Sequence, residues 1–395
     1  MTIQKKIGYV MAYREGHNNY GTSLQGYALL NILQHLGYEV RIINYIRRLN
    51  LLQKVRFIIN AILAGNLNLL YGRAFSKRKM ARHPSYMQGI VQRTQMVDKY
   101  KKEKLIPSFQ TFDGYKSLHE GTKDFDAVVV GSDQVWSPMS LPNGFFNLMF
   151  VPDGVPKLAY ASSFGVSEIP SFQRKATARY LNRFDVISVR ELRAKEIVED
   201  LSDKEAQVVS DPTLLLSREE WWKEIADVSI GVSKPYIFCY FLGTNREARE
   251  AANKLSCQTG LSIVTIPNME EYIAEDEDFG DMRPYDVGPN EFVKYISQAE
   301  YVCTDSFHCT VFSILFHRHF MTFYRFAHTD RSSRNSRINS LFKFLDIDDS
   351  HLYKGNIMDI NNELDYDAID KRVAEIRDDS IAFLSSSLSK CIQKG

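Results

Sequence analysis

Short apolar runs, each closed by a polar or glycine-bearing turn, set the rhythm of this chain. Residues 7–13 (IGYVMAY) read as a buried strand and Glu15 to Gly21 as a polar turn. A helix is expected next, capped by Thr22 or Ser23. Leu29, Ile32, Leu33 and Leu36 repeat at helical spacing, Gly37 is placed to end the helix, and residues 38–45 (YEVRIINY) form the next strand. Strand, turn, helix, strand is a right-handed parallel unit.

The rhythm recurs at residues 125–130, 158–163, 185–189 and 207–210, each a short run stopping at polar or glycine residues, as buried parallel strands do. A second block begins near Lys234. It has strands at 236–242, 261–266, 300–304 and 319–324, and a helix from about Asn245 to Cys257. An acidic loop is expected at 270–281 and a helix over 292–299 capped by Asn290. Another helix starts near His308, and 367–393 is helical by pattern. The fold class is therefore α/β, with domains expected at 1–225 and 226–395, joined near 215–234. A cleft between two such sheets is the usual ligand site.

Residues 46–105 interrupt the first block. Between Arg41 and Lys104, Lys and Arg far outnumber the two acidic residues, Asp98 and Glu103. Leu49 to Tyr71 mixes apolar residues with Gln53, Lys54, Arg56 and Asn60, too polar a stretch to span a membrane. Two readings stand: a helical insertion with a solvated basic face, or peripheral contact with an anionic membrane.

Composition adds exclusions. At 395 residues the chain can bury a substantial core, and its net charge of +1 gives no reason to expect nucleic-acid binding. Its five cysteines form no C-x-x-C pair and fit free thiols in a reducing compartment. The first ten residues do not read as a signal peptide, and no run of about 18 apolar residues occurs. A cytoplasmic protein is the expectation. Phosphate-binding P-loops, a G-x-G-x-x-G after the first strand, H-E-x-x-H and carboxylate-rich metal motifs are all missing.

In parallel sheets chemistry gathers at the carboxyl ends of strands. Four such places carry polar residues here. His17-Asn18-Asn19-Tyr20-Gly21 offers amides for sugar hydroxyls, or builds only the turn. Gly131-Ser132-Asp133-Gln134-Val135-Trp136 offers a carboxylate for a hydroxyl and an indole for a sugar ring, or a helix cap and a core tryptophan. Ser188-Val189-Arg190-Glu191 offers a guanidinium fork for carboxylate or phosphate, or a surface ion pair. Thr304 to Thr310 places His308 at a helix start, where it can bind an anion or move a proton. Beyond the last strand, Arg325, Arg331, Arg334 and Arg337 can reach back toward an anion or stay solvated.

Taken in order, NNYGTSLQGYALLNILQHLGYEV, VVGSDQVW, ISVRE, VSDPTLLL and TDSFHCTVFSILF resemble the polysaccharide pyruvyl transferase family, as does the later RSSRNSRINSLFKFLDI. The resemblance spans roughly residues 7–345. It implies two Rossmann-like domains facing across a cleft, as in GT-B glycosyltransferases, with no cofactor and no obligatory metal. It implies transfer of pyruvate from phosphoenolpyruvate to a hexose, as a ketal, in surface-polysaccharide assembly. The acceptor would be a sugar, lipid-linked or free. His308 matches the family's donor-site histidine and Arg190 its arginine. Asp133 as base on the acceptor hydroxyl, with Asn18, Asn19 and Trp136 as acceptor contacts, is an inference from position. One departure stands out: characterised members have Arg-Leu-His where this chain has Ser306-Phe307-His308, a form that many members share, and either Arg334 or Arg337 supplies the lost cation or the donor differs. The competing readings are a GT-B glycosyltransferase with a nucleotide-sugar donor, and a non-catalytic assembly factor docked through the basic segment.

Overall fold

The computed structural model describes residues 4–13, 18–48, 55, 58–59, 62–63, 79–139, 141, 144–232, 235–269, 272–325 and 336–394. The first half runs β1 (Lys6–Val10), α1 (Tyr20–His35), β2 (Glu39–Ile46), α2 (Pro84–Lys104), β3 (Phe109–Asp113), α3 (Gly114–Gly121), β4 (Ala127–Asp133), β5 (Lys157–Ser162), α4 (Ser171–Leu181), β6 (Val186–Val189), α5 (Leu192–Leu201) and β7 (Ala206–Val208). The second half follows with α6 (Arg218–Glu224), β8 (Ile237–Tyr240), α7 (Arg246–Thr259), β9 (Ile263–Thr265), α8 (Pro289–Gln298), β10 (Tyr301–Thr304), α9 (Phe307–Leu315), β11 (His319–Thr322), α10 (Ser336–Phe344) and α11 (Tyr366–Lys394).

Both sheets are parallel, ordered β3-β2-β1-β4-β5-β6-β7 and β11-β10-β8-β9. Burial on both faces explains the unbroken apolar strands: every residue of β4 up to Ser132 is buried, as is all of β5. In each sheet the order reverses at one point, between β1 and β4 and between β8 and β10. At such switch points the loops leaving neighbouring strands part and open a crevice.

Helix α1 lies between the halves and is buried almost all round, as its weakly sided sequence requires. Its Tyr20 stacks on Phe292 at 4.7 Å and donates to the Val287 carbonyl at 2.9 Å. Helix α2 bolts the halves together. Arg93, fully buried, donates to the carbonyls of Pro267 (2.6 Å) and Pro284 (3.0 Å), and Tyr86 donates to Asn268. The last helix crosses back to the first half, where Ser380 Oγ accepts from Ser210 N at 3.1 Å and Arg377 donates to the Leu214 carbonyl.

Several boundaries differ from expectation, each for a local reason. The cap of α1 is Asn19, whose side chain accepts from Thr22 N at 3.1 Å, rather than Thr22 or Ser23. Helix α8 starts at Pro289, with Gly288 N donating to Glu291, so Asn290 lies inside it and donates to the Glu224 carbonyl instead. The first strand ends at Val10, three residues early, and β4 runs on to Asp133. In the acidic segment Asp276 is buried, with both Arg249 Nε and Nη2 on its Oδ1, rather than solvated.

Candidate functional site

The two switch points face one another across a cleft of about 430 Å³. The first half contributes Ala12 and Tyr13 after β1, Asn19, Gly21 and Thr22 at the head of α1, and Asp133 at the end of β4. The second contributes Leu242 after β8, Ser306, Phe307 and His308 after β10, and Arg325 and Arg337. Two helix N-termini, those of α1 and α9, therefore open on the same space, an arrangement suited to an anion.

Asp133 sits in the left-handed region at φ +70°, which turns the chain sharply at the strand end; aspartate tolerates this better than most residues. Its Oδ2 accepts from Thr22 Oγ1 at 2.8 Å, joining β4 to α1. Burial pushes its carboxyl up, but the charges of Arg190 and His308 and the Thr22 bond outweigh burial and hold it below the usual carboxylate range. It is an anion at neutral pH.

Ser306 caps α9, its hydroxyl accepting from Cys309 N. The neighbouring Asp305 accepts from the backbone of Leu242 (2.7 Å) and Gly243 (2.8 Å), tying the β10 loop to the β8 loop. His308 then packs its imidazole on the backbone of Gly21. A Cβ at Gly21 would stand 2.0 Å from Nδ1, so a side chain there and the imidazole cannot coexist. The close approach of α1 and α9 aims the histidine.

Behind His308 lies a buried set of charges. Arg190, at the end of β6, donates from Nη1 to Asp211 Oδ2 at 2.6 Å, and its guanidinium lies 4.7 Å from the Phe307 ring centre. Its other two nitrogens, Nε and Nη2, are buried without a hydrogen-bond partner, as is Nε2 of His308. His308 Nε2 stands 3.7 Å from the same Asp211 oxygen. Asp211 Oδ1 accepts from Thr213 N and Oγ1 at 3.0 and 2.7 Å, which fixes the carboxylate. Burial raises the Asp211 carboxyl, but His308, Arg190 and Thr213 overcome it and hold it far below its usual range. Glu191 is pushed up by burial, a push that Arg190 and the 2.5 Å bond from Ser163 only partly offset.

The structure thus brings together Asp133, Asn19, Ser306, His308 and Arg337 in the cleft, while Arg190 is buried behind His308 and does not line it. Arg334 lies outside the described residues, as do His17 and Arg331. Two expected contacts sit elsewhere. Asn18 turns away from the cleft and donates to Thr94 Oγ1 at 2.6 Å on α2. Trp136 is buried among Phe164, Tyr180 and Phe184, and donates to the Phe146 carbonyl, so it presents no face to a sugar. Conversely, the pattern reading passed over Asp211. Its signal was the Asp-Pro pair following the last strand run of the first block. Among the described residues no cluster of three or more His, Cys, Asp or Glu is arranged to hold a metal.

Fold and site together define a two-sheet Rossmann-like protein whose interdomain cleft is lined by guanidinium, imidazole and helix N-termini. The chain belongs to the polysaccharide pyruvyl transferase family, whose model matches residues 19–325, and it is a transferase. Solved structures similar to it over most of their length include UDP-GlcNAc 2-epimerase from Neisseria meningitidis bound to UDP-GlcNAc (TM-score 0.47, 9% identity, covering 94% of this chain and 99% of that one). They also include UDP-N-acetylglucosamine 2-epimerase from Rickettsia bellii (0.44, 11%, 96% and 98%) and MurG from Acinetobacter baumannii (0.43, 10%, 98% and 99%). No curated protein matches the chain.

Proposed function

We propose that this transferase moves pyruvate from phosphoenolpyruvate to a hexose of a surface polysaccharide or its precursor, forming a pyruvate ketal. The observation that carries the reading is the open side of the buried charge set. Arg190 keeps Nε and Nη2, the side-on fork of a guanidinium, without a hydrogen bond, the nearest carboxylate to Nε being Glu191 Oε2 at 3.8 Å, beside the Nε2 of His308, which also lacks one. A buried donor without an acceptor costs about 1–3 kcal/mol, a cost that a carboxylate or phosphate relieves. The donor carries both groups.

The chemistry needs an acid and a base in that order. His308 delivers a proton to the donor's methylene carbon, and the neighbouring carbon becomes electrophilic. One sugar hydroxyl adds there and gives up its proton; Asp133, ionised and facing the cleft, is placed to orient that hydroxyl. The carbon–oxygen bond to phosphate then breaks, and the second hydroxyl adds to close the ketal. One proton enters the methyl group and two leave the hydroxyls, so one accompanies the phosphate. Arg190, with Arg325 and Arg337 across the cleft, holds the donor's charges through these steps. Asp211 touches neither substrate and acts by holding Arg190 and by facing His308. The reading puts the chain in the cytoplasm, where this donor is made.

Isothermal calorimetry tests the donor. Saturable binding of phosphoenolpyruvate by the wild type, lost in His308→Ala, is the expected result. Saturable binding of a nucleotide sugar, with none of phosphoenolpyruvate, overturns the proposal in favour of a glycosyltransferase.

A further inference from the structure

Surface apolar residues on a soluble protein are normally scattered singly. Here five of them form a line. Val55, Ile58, Ile59, Ile62 and Leu63 are all helical, and all are exposed, between 44% and 60%. Their steps of three, one, three and one residues are the spacing of one helix face. A contiguous apolar face of this kind marks a docking surface.

The charge of the surrounding sequence says what covers it. From Leu49 to Arg82 the chain has seven Lys and Arg and not one Asp or Glu. Lys54 and Arg56 flank Val55 directly. An apolar face within an exclusively cationic stretch is complementary to a bilayer with anionic headgroups: the apolar side chains enter the acyl boundary and the cations remain at the phosphates. It is not a spanning segment, since no described helix is long and apolar enough to cross a membrane.

Position gives the docking a purpose. The stretch leaves the first sheet after Ile46 at the end of β2, itself 49% exposed. In a parallel sheet this is the same edge that carries Ala12, Tyr13 and Asp133 of the cleft. We propose that the stripe Val55, Ile58, Ile59, Ile62 and Leu63 docks this protein on an anionic membrane surface, with the cleft edge of the first sheet turned toward the lipid. A sugar acceptor carried on a lipid would be presented to that edge. The proposal does not depend on the identity of the donor.

Vesicle sedimentation tests it with the full chain. Binding to vesicles of 30% phosphatidylglycerol in phosphatidylcholine is expected, with at least a tenfold loss in Ile59→Glu/Ile62→Glu and a similar loss in 0.5 M salt (about tenfold or more for several cations). Phosphoenolpyruvate binding by the variant is expected to be unchanged, which separates docking from the site. A second variant, Ile62→Trp, reports insertion directly by a blue shift of its emission on adding the anionic vesicles, should the double variant fail to fold. No sedimentation with anionic vesicles and no shift overturn the proposal. Equal, salt-insensitive binding to pure phosphatidylcholine overturns its electrostatic half. Concentration-dependent dimerisation abolished by Ile59→Glu/Ile62→Glu would instead assign the stripe to a second copy of the chain.

Discussion

Gly21→Ala is the sharpest test of how the two halves make the site. The added Cβ would lie 2.0 Å from His308 Nδ1 and 2.5 Å from both Cε1 and Cγ. Carbon contacts relax at about 3.5–4.0 Å, so the imidazole must retreat by roughly 1.5 Å or the heads of α1 and α9 must part. Retreat is obstructed by the Phe307 ring, whose centre is 5.2 Å from that of His308, and by Asp211 at 3.7 Å. Overpacking of this kind costs about 1–3 kcal/mol. Part is returned because alanine favours the helix over glycine by up to about 1 kcal/mol. A net loss of roughly 1–2 kcal/mol leaves the protein folded.

The catalytic cost is larger, since a displacement of about 1 Å at a reacting group lowers rate on the order of a hundredfold. A double-mutant cycle isolates the cause. His308→Ala removes the ring that the new methyl strikes, so Gly21→Ala in that background should cost no stability. The coupling read from denaturant unfolding should be the overpacking term alone, about 1–3 kcal/mol. Phosphate release from phosphoenolpyruvate should fall about a hundredfold in Gly21→Ala and no further in the double variant than in His308→Ala alone. Additive losses in both measurements would refute the idea that Gly21 is small because His308 needs the space.

Three further outcomes follow from the buried charges. Asp211→Asn keeps the side chain's shape but removes the negative charge that holds Arg190 at 2.6 Å and stands 3.7 Å from His308 Nε2, so phosphate release from phosphoenolpyruvate should fall about tenfold or more. An unchanged rate would leave Asp211 a purely structural partner of Arg190. Glu191→Gln tests burial: its folded carboxyl holds its proton more tightly than the unfolded one, so the wild type loses stability as pH rises above the ordinary value of 4.5. The variant should therefore match or exceed the wild type in melting temperature at pH 8 and show no gain at pH 4. Arg93→Met leaves the buried Pro267 and Pro284 carbonyls without their donor, and should cost about 2–4 kcal/mol. If the halves are joined mainly there, calorimetry should resolve two transitions where the wild type has one.

What could be read in advance follows from parallel-sheet physics. Strands buried on both faces must be apolar throughout, and their carboxyl ends must turn. Asp133, Arg190 and Ser306-Phe307-His308 were therefore visible as polar residues placed just after apolar runs. Helix α2 lies inside the segment expected to be a helical insertion, but its packed face carries no signal, for the opposite reason. Its buried face is Tyr86, Gly89, Arg93, Val97, Tyr100 and Lys101, a helical spacing made largely of polar and aromatic residues, because it packs on backbone carbonyls of the other half. No hydrophobic period marks such a face. Trp136 shows the limit in another way: an indole after a turn suits a sugar ring and a core equally, and only Phe164, Tyr180 and Phe184, distant in sequence, decide for the core. Asp211 was overlooked since its partners, Arg190 and His308, come from different halves.

The Ser306-Phe307-His308 triplet can now be given a division of labour. Ser306 caps α9 with its hydroxyl, and a long cationic side chain in its place would lose that cap. Phe307 lies within 6 Å of two guanidiniums, Arg190 at 4.7 Å and Arg337 at 5.8 Å from its ring centre. An aromatic face attracts each by about 0.5–1 kcal/mol, more where water is excluded. His308 takes its direction from Gly21. On the proposed reading, positive charge missing at 306 is supplied by Arg337, reaching the same ring from α10 rather than from the loop itself. The donor site and its support then draw their groups from five separate places: the end of β6, the segment after β7, the head of α9, the segment after β11 and the head of α10. That dispersion makes the site depend on closure of the two halves, and it ties the Gly21–His308 contact, which spans them, to catalysis as well as to packing.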